Sequence, residues 1–163
     1  MALTGSGTAG AASPDDTLVL ELATGKVVIE MMPQVAPLHV ARIKELANDG
    51  FYDGVVFHRV IPGFMAQTGD PTGTGTGGSG RGKLKAEFSQ TPFERGTIGM
   101  ARTGDPNSAD SQWFICFQRT PHLNGQYTVW GKVVEGMELV DKLATGEPPR
   151  RPDKIVKARV GAG

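Results

Sequence analysis

The chain has 163 residues, enough for one domain with its own core and short for two. Seventeen basic and seventeen acidic residues cancel, so no broad field draws the protein to nucleic acid or to an anionic membrane. A single cysteine, Cys116, excludes an internal disulfide framework and a cysteine-rich zinc site, and no run approaches the ~20 apolar residues of a membrane span.

Residues 1–16, MALTGSGTAGAASPDD, are small and Gly-rich without periodicity, which predicts a flexible leader before a single domain over 17–163. The leader lacks the basic start and apolar block of an export signal. The cytoplasm is therefore the expected compartment, or the periplasm if such a signal was removed before Met1. Leu18, Leu20 and Leu22 alternate with other residues, Thr24-Gly25 supplies a turn, and Val27, Ile29 and Met31 resume the period of two, which predicts a β-hairpin. Pro37 starts a predicted helix over 36–49 whose Val40, Ile43 and Ala47 share a face and whose stop is Gly50. Further strands are predicted at 55–60, 64–68, 97–101, 112–117, 128–133 and 154–160, with a second helix near 136–144. Eight short strands with Gly- and Pro-rich joints and only two helices favour a sandwich or closed barrel over a parallel sheet, which needs a crossover helix between most strands. Residues 71–96, with glycine at 73, 75, 77, 78, 80 and 82, predict a long surface loop bordering a site.

That loop contains two near-matches to nucleotide motifs. Gly73–Gly78 fits a dinucleotide fingerprint, but no helical period follows in 79–96. Gly77–Lys83 fits a phosphate loop as far as the lysine, yet Leu84 stands where a hydroxyl would hold Mg²⁺. Cys116 lies in the apolar run Trp113–Phe117 and reads as a buried small hydrophobe, with His122 not required as its base. His39, His58 and His122 are scattered and show no metal spacing, so neither metal nor cofactor is expected. Asp105 and Asp110 read as turn formers.

The block Phe57-His58-Arg59-Val60-Ile61-Pro62-Gly63-Phe64-Met65-Ala66-Gln67-Thr68-Gly69-Asp70 is more informative, because it sets a guanidinium and a carboxamide among large apolar side chains. Period-two geometry sends His58 and Arg59 to opposite faces, and an arginine beside an apolar pocket is the chemically telling option. This block resembles the signature of the cyclophilins, a family of prolyl isomerases. Two further segments match in order and spacing: GMARTGDPNSADSQWFI at 99–115 and HLNGQYTVWGKV at 122–133. The resemblance runs from about Thr17 to Val160.

It implies a mainly β fold, a closed eight-stranded antiparallel β-barrel capped by two α-helices. It also implies a cofactor-free peptidyl-prolyl cis/trans isomerase that assists folding of proline-containing polypeptides, acts as a monomer and binds no nucleic acid or membrane. By matching positions, Arg59 is the catalytic arginine, and Phe64, Met65, Phe114 and Leu123 wall the proline pocket. Gln67 and Gln112 become polar contacts, Gly75 lies on a loop bordering a secondary pocket, and Ala101 and Thr103 lie near the residue before proline. Arg102 stands where the family usually has Asn and pairs with peptide through its backbone, a contact that survives the change. His122 replaces a tryptophan and Tyr127 a histidine of well-known eukaryotic members, as in bacterial-type relatives. Loss of the indole predicts weakened binding of the immunosuppressant cyclosporin. The rival readings are a proline-recognising scaffold of the same fold, which needs no donor at the prolyl nitrogen, and a nucleotide-binding protein using 75–84.

Overall fold

The computed structural model describes residues 13–161. The expected leader falls outside the described residues over 1–12; Pro14–Asp16 form one 3₁₀ turn, and Lys44 Nζ donates to Asp16 Oδ1 at 3.0 Å. Eight strands follow: β1 (Thr17–Leu22), β2 (Gly25–Met31), β3 (Arg59–Ile61), β4 (Met65–Thr68), β5 (Thr97–Met100), β6 (Trp113–Cys116), β7 (Val129–Glu135) and β8 (Lys157–Val160). Two helices accompany them, α1 (Pro37–Asn48) and α2 (Met137–Val140). All strands join one antiparallel sheet in the order β3-β4-β6-β5-β7-β2-β1-β8.

The expected closed barrel is corrected to a curled, open half-barrel, because β3 and β8 form the two ends of the sheet and are not laddered to each other. The chain just before each of them meets at one isolated bridge, Val56 with Lys154, supported by Phe57 N–H donating to Asp153 O at 2.8 Å. Pro148, Pro149 and Pro152 lie in the approach to β8 and lack the N–H groups that a ladder requires. The predicted strand over 55–60 is observed as Arg59–Ile61, and the predicted helix over 136–144 shortens to α2.

The sheet has two buried faces. Leu18, Leu20, Val27 and Ile29 of the hairpin, Val60, Ala66, Ile98 and Ile115 of the central strands, and the helical face of Val40, Ile43, Leu46 and Ala47 fill the main core. Trp113 and Trp130 cross edge to face at its centre, 5.6 Å between ring centroids. The opposite face of β4, β5 and β6 carries a second cluster around Met65, Phe93, Phe114, Cys116, Leu123 and Val129.

Carboxylates organise the glycine-rich part of the long loop between β4 and β5, while Leu84 and Phe93 pack its later part against the two apolar clusters. Asp70 accepts the N–H groups of Thr72 (2.8 Å), Gly75 (2.6 Å) and Gly77 (3.0 Å) together with the Thr72 hydroxyl. Burial alone would raise its pKa; these donors outweigh burial and hold the carboxyl well below its usual range. Asp105 makes the expected local turn through Asn107 N–H, whereas Asp110 goes further, taking Ser79 N–H at 2.7 Å and Arg42 Nη1 at 2.6 Å. Glu87 reaches α1, where it caps the N–H groups of Leu38 and His39 and accepts from His39 Nδ1 at 2.6 Å.

His39 and His58 are both buried, and burial lowers the pKa of each despite the nearby carboxylates of Glu87 and Asp70. For His39 this agrees with an Nε2 that has no partner among the described residues, since a proton there would find no acceptor. The unfolded chain then binds protons that the folded chain refuses, so stability falls as pH drops below about 6.5, by up to about 1.4 kcal/mol per pH unit for each histidine. Urea midpoints at about pH 7.5 and about pH 5.5 are expected to show this loss, and His39→Gln, which does not titrate, is expected to reduce it.

Candidate active site

Antiparallel register brings the site residues into rows. Arg59 pairs with Gln67, Gln67 with Phe114, and Phe114 with Gly99, so the side chains of Arg59, Gln67 and Phe114 stand side by side on one face. The neighbouring row on that face is Ile61, Met65 and Cys116. Between them run Val60, Ala66, Ile115 and Ile98, directed into the main core. Gly99 is the empty seat in the first row. A Cβ there would stand 2.6 Å from Phe93 Cε2 and 2.8 Å from Phe114 Cζ, so its absence admits the stacked pair of Phe93 and Phe114, 5.8 Å apart.

Above these rows lies a cavity of about 140 Å³ of mixed lining, with the apolar walls of Phe64, Met65, Phe114 and Leu123, Ala101 and Tyr127 beside them, and Arg59, Gln67 and Arg102 at its polar edge. Tyr127 meets Phe114 edge to face at 5.7 Å. His122, in the 3₁₀ turn Pro121–Leu123, is outside this lining and packs on Phe64 with centroids 5.8 Å apart. A wider cavity of about 740 Å³ adjoins the first, sharing Gln67, Ala101 and Arg102 and adding Gly75, Thr103 and Gln112. The structure thus divides the thirteen expected positions between an apolar pocket, the adjoining groove and His122 at the rim.

A continuous polar chain crosses the site. Arg59 Nη1 donates to Gln67 Oε1 at 3.3 Å, Gln67 Nε2 donates to Gln112 Oε1 at 2.9 Å, and Gln112 Nε2 donates to the carbonyls of Gly75 (3.1 Å) and Gly77 (2.9 Å). At the other end Arg59 Nε donates to Glu147 Oε1 at 3.0 Å. Arg102 turns its guanidinium away from this chain, donating to Gln126 O from Nε (3.1 Å) and Nη2 (2.8 Å), and lies 4.7 Å over the Tyr127 ring.

Sequence reasoning missed Glu147 and, in the groove, Lys83, Ser108, Asp110 and Ser111. Groups that only the fold brings together leave no local pattern; the one signal for Glu147 was a carboxylate in the Pro-rich stretch after α2.

Cys116 is fully buried beside Met65, its cross-strand partner, and burial pushes its thiol up to about 11, so it is a packing residue and not a nucleophile. No helix opens after Gly73–Gly78, and the Gly75 and Gly77 N–H groups that a phosphate would use are occupied by the Asp70 carboxylate. A nucleotide would meet negative charge there. Among the described residues no group of three or more His, Cys, Asp or Glu side chains is placed to hold a metal, and no helix is long and apolar enough to cross a membrane.

The family model described as cyclophilin type peptidyl-prolyl cis-trans isomerase/CLD matches residues 17–160. A probable peptidyl-prolyl cis-trans isomerase of Brucella suis is 53% identical, the match covering 95% of this chain and 87% of that protein. Peptidyl-prolyl cis-trans isomerase B of Bacillus subtilis is 46% identical over 75% of this chain and 85% of its own length. Among solved structures, a cyclophilin from Hirschia baltica superposes with a TM-score of 0.84 at 29% identity, covering 98% of this chain and 81% of that one. A Cryptosporidium parvum cyclophilin-type isomerase, determined in the presence of the dipeptide Ala-Pro, superposes with a TM-score of 0.85 at 27% identity, covering 90% of this chain and 99% of that one.

Because the Gly99 position has no room for a side chain, Gly99→Ala is expected to displace the Phe93–Phe114 pair, costing about 1–3 kcal/mol of stability and narrowing the apolar pocket. Urea unfolding reads the first effect, and a raised KM for a short X-Pro peptide reads the second.

Proposed function

The chain belongs to the cyclophilin-type peptidyl-prolyl cis-trans isomerases, and from that membership we propose how its own residues perform the isomerisation. Rotation about the X-Pro amide meets a barrier of ~18–20 kcal/mol, because the nitrogen lone pair is delocalised into the carbonyl. No bond breaks. As the amide twists, the lone pair returns to the prolyl nitrogen, and a donor fixed beside that atom stabilises the transition state more than the planar ground state.

Arg59 is that donor in our reading. The observation that carries it is a guanidinium held at the edge of the cavity by Gln67 and Glu147, with Nη2 lacking an acceptor among the described residues. Phe64, Met65, Phe114 and Leu123 hold the proline ring while the preceding carbonyl turns, which makes the rotation productive. Both ends of the Gln67 amide are engaged, Oε1 by Arg59 and Nε2 with Gln112, so its main work is to orient the guanidinium. The adjoining groove receives the residues before proline, with Ala101, Arg102 and Thr103 on one side and Gly75 and Gln112 on the other.

Proline-containing polypeptides are the substrates this pocket suits, a reading supported by the Cryptosporidium relative, whose structure was determined in the presence of Ala-Pro. Cyclosporin would bind weakly, since His122 offers less apolar area than an indole. We take the chain to act as a monomer. We take residues 17–163 as one domain acting in the cytoplasm, a site that suits a lone cysteine buried as a free thiol.

Arg59→Ala is expected to lower kcat/KM by about 10²–10³ in a coupled cis-to-trans assay while leaving the circular dichroism spectrum unchanged. Turnover should stay nearly flat from about pH 6 to about pH 8, because arginine does not titrate there; a bell-shaped profile would require an acid–base group instead. His122→Trp is expected to raise cyclosporin affinity, read as a lower inhibitory concentration in the same assay.

A further inference from the structure

We propose that Glu147 is a positioning residue for the isomerisation, fixing the plane of the Arg59 guanidinium from outside the proline pocket. The inference rests on the reading of Arg59 as the donor. Val60 and Gly146 exchange two backbone hydrogen bonds, N–H to O at 2.9 Å in each direction. In antiparallel register this sets residues 59 and 147 directly opposite each other as the next, non-hydrogen-bonded pair, whose Cβ atoms normally lie about 4.5–5.5 Å apart. The catalytic row therefore begins one residue earlier than the sheet does, as Glu147, Arg59, Gln67 and Phe114.

The anchor of this arrangement is stiff. Gly146 has φ of 142°, and a Cβ on it would stand 2.7 Å from Pro149 Cα and 2.9 Å from Pro148 O, so the bend that presents Glu147 to Arg59 admits only glycine. Glu147 Oε1 takes the Nε proton of Arg59 at 3.0 Å while Gln67 Oε1 takes an Nη1 proton at 3.3 Å. Acceptors at two different nitrogens of one planar group restrict how that plane can turn, which leaves the two Nη2 N–H groups and the second Nη1 N–H available to substrate. The Arg59 side chain is 42% exposed and that of Glu147 58%, so the pair contributes little to stability. Its consequence lies in the rotamers denied to a long exposed side chain before the substrate arrives.

Three variants assayed on a short X-Pro peptide test this. Glu147→Ala is expected to lower kcat roughly 10-fold with KM changed less than about twofold, because ground-state peptide contacts remain. Glu147→Gln keeps an acceptor oxygen and is expected to retain turnover within about threefold of the parent chain. In the Arg59→Ala background the Glu147→Ala change is expected to add nothing, as it acts only through that guanidinium. The thermal midpoint should stay unchanged, while the Arg59 Nε–H resonance in ¹⁵N spectra should shift in Glu147→Ala and stay near its original position in Glu147→Gln. Unchanged or faster turnover in Glu147→Ala, equal losses in the Ala and Gln variants, or an equal loss without Arg59 would overturn the role of Glu147 and leave Arg59 as donor. Parent-level turnover in Arg59→Ala would instead overturn the reading beneath it.

Discussion

Cross-strand register in β3, β4, β6 and β5 is the constraint from which the site follows. Alternation along each strand sends one set of residues into the main core and the other to the opposite face, so one register places Val60, Ala66 and Ile115 inside and Arg59, Gln67 and Phe114 outside. A slip by one residue in β3 would exchange Arg59 for Val60, burying a guanidinium and exposing a valine. The hydrophobic pressure that fixes the inner face therefore fixes the geometry of the polar row, although no polar contact is needed to choose the register. An apolar core on one face sets the alignment of the candidate site on the other.

The long loop shows a different logic. Its glycine-rich start offers few side chains to bury, so ordering it depends on saturating a few carboxylates with backbone donors. Asp70 gathers the first turns, Asp110 ties Ser79 to Arg42 on α1, and Glu87 caps α1 itself. These contacts hold the Gly75 and Gly77 carbonyls where Gln112 can donate to them, which fixes the far end of the chain of polar groups leading to Arg59. The donors that a phosphate would need are spent on building a wall of the groove.

How much of this was legible in the sequence depended on the range of the interaction. Alternating Leu18, Leu20 and Leu22, the face of Val40 and Ile43, and the apolar run at Trp113 are local patterns, and the elements appeared near their expected places. The signature block placed Arg59, Phe64, Met65 and Gln67 together, and register did the rest. Three features had no local trace. The half-barrel stays open because the prolines before β8 remove ladder donors, a matter of pairing and not of strand propensity. Asp110 resembled a turn former because its partner Arg42 lies far away in sequence. Glu147 meets Arg59 beside a single bridge between Val60 of β3 and Gly146, which lies in no regular strand, and no periodicity announces it.

A catalyst that transfers no proton is limited by orientation, and this site invests in orientation throughout. In the role we propose for Arg59, a guanidinium of permanent charge is useful in proportion to how narrowly its direction is distributed around the position of the prolyl nitrogen. Water at an exposed arginine both screens that charge and competes for its donors. The apolar walls answer the first problem by filling the space beside the guanidinium with Phe64, Phe114 and Leu123. Acceptors on Nε and Nη1 answer the second in part, because they occupy two of the five N–H groups within the protein and leave fewer donors for water to take. Within this fold the sheet supplies the row, the loop holds one end of it, and the bend at Gly146 holds the other.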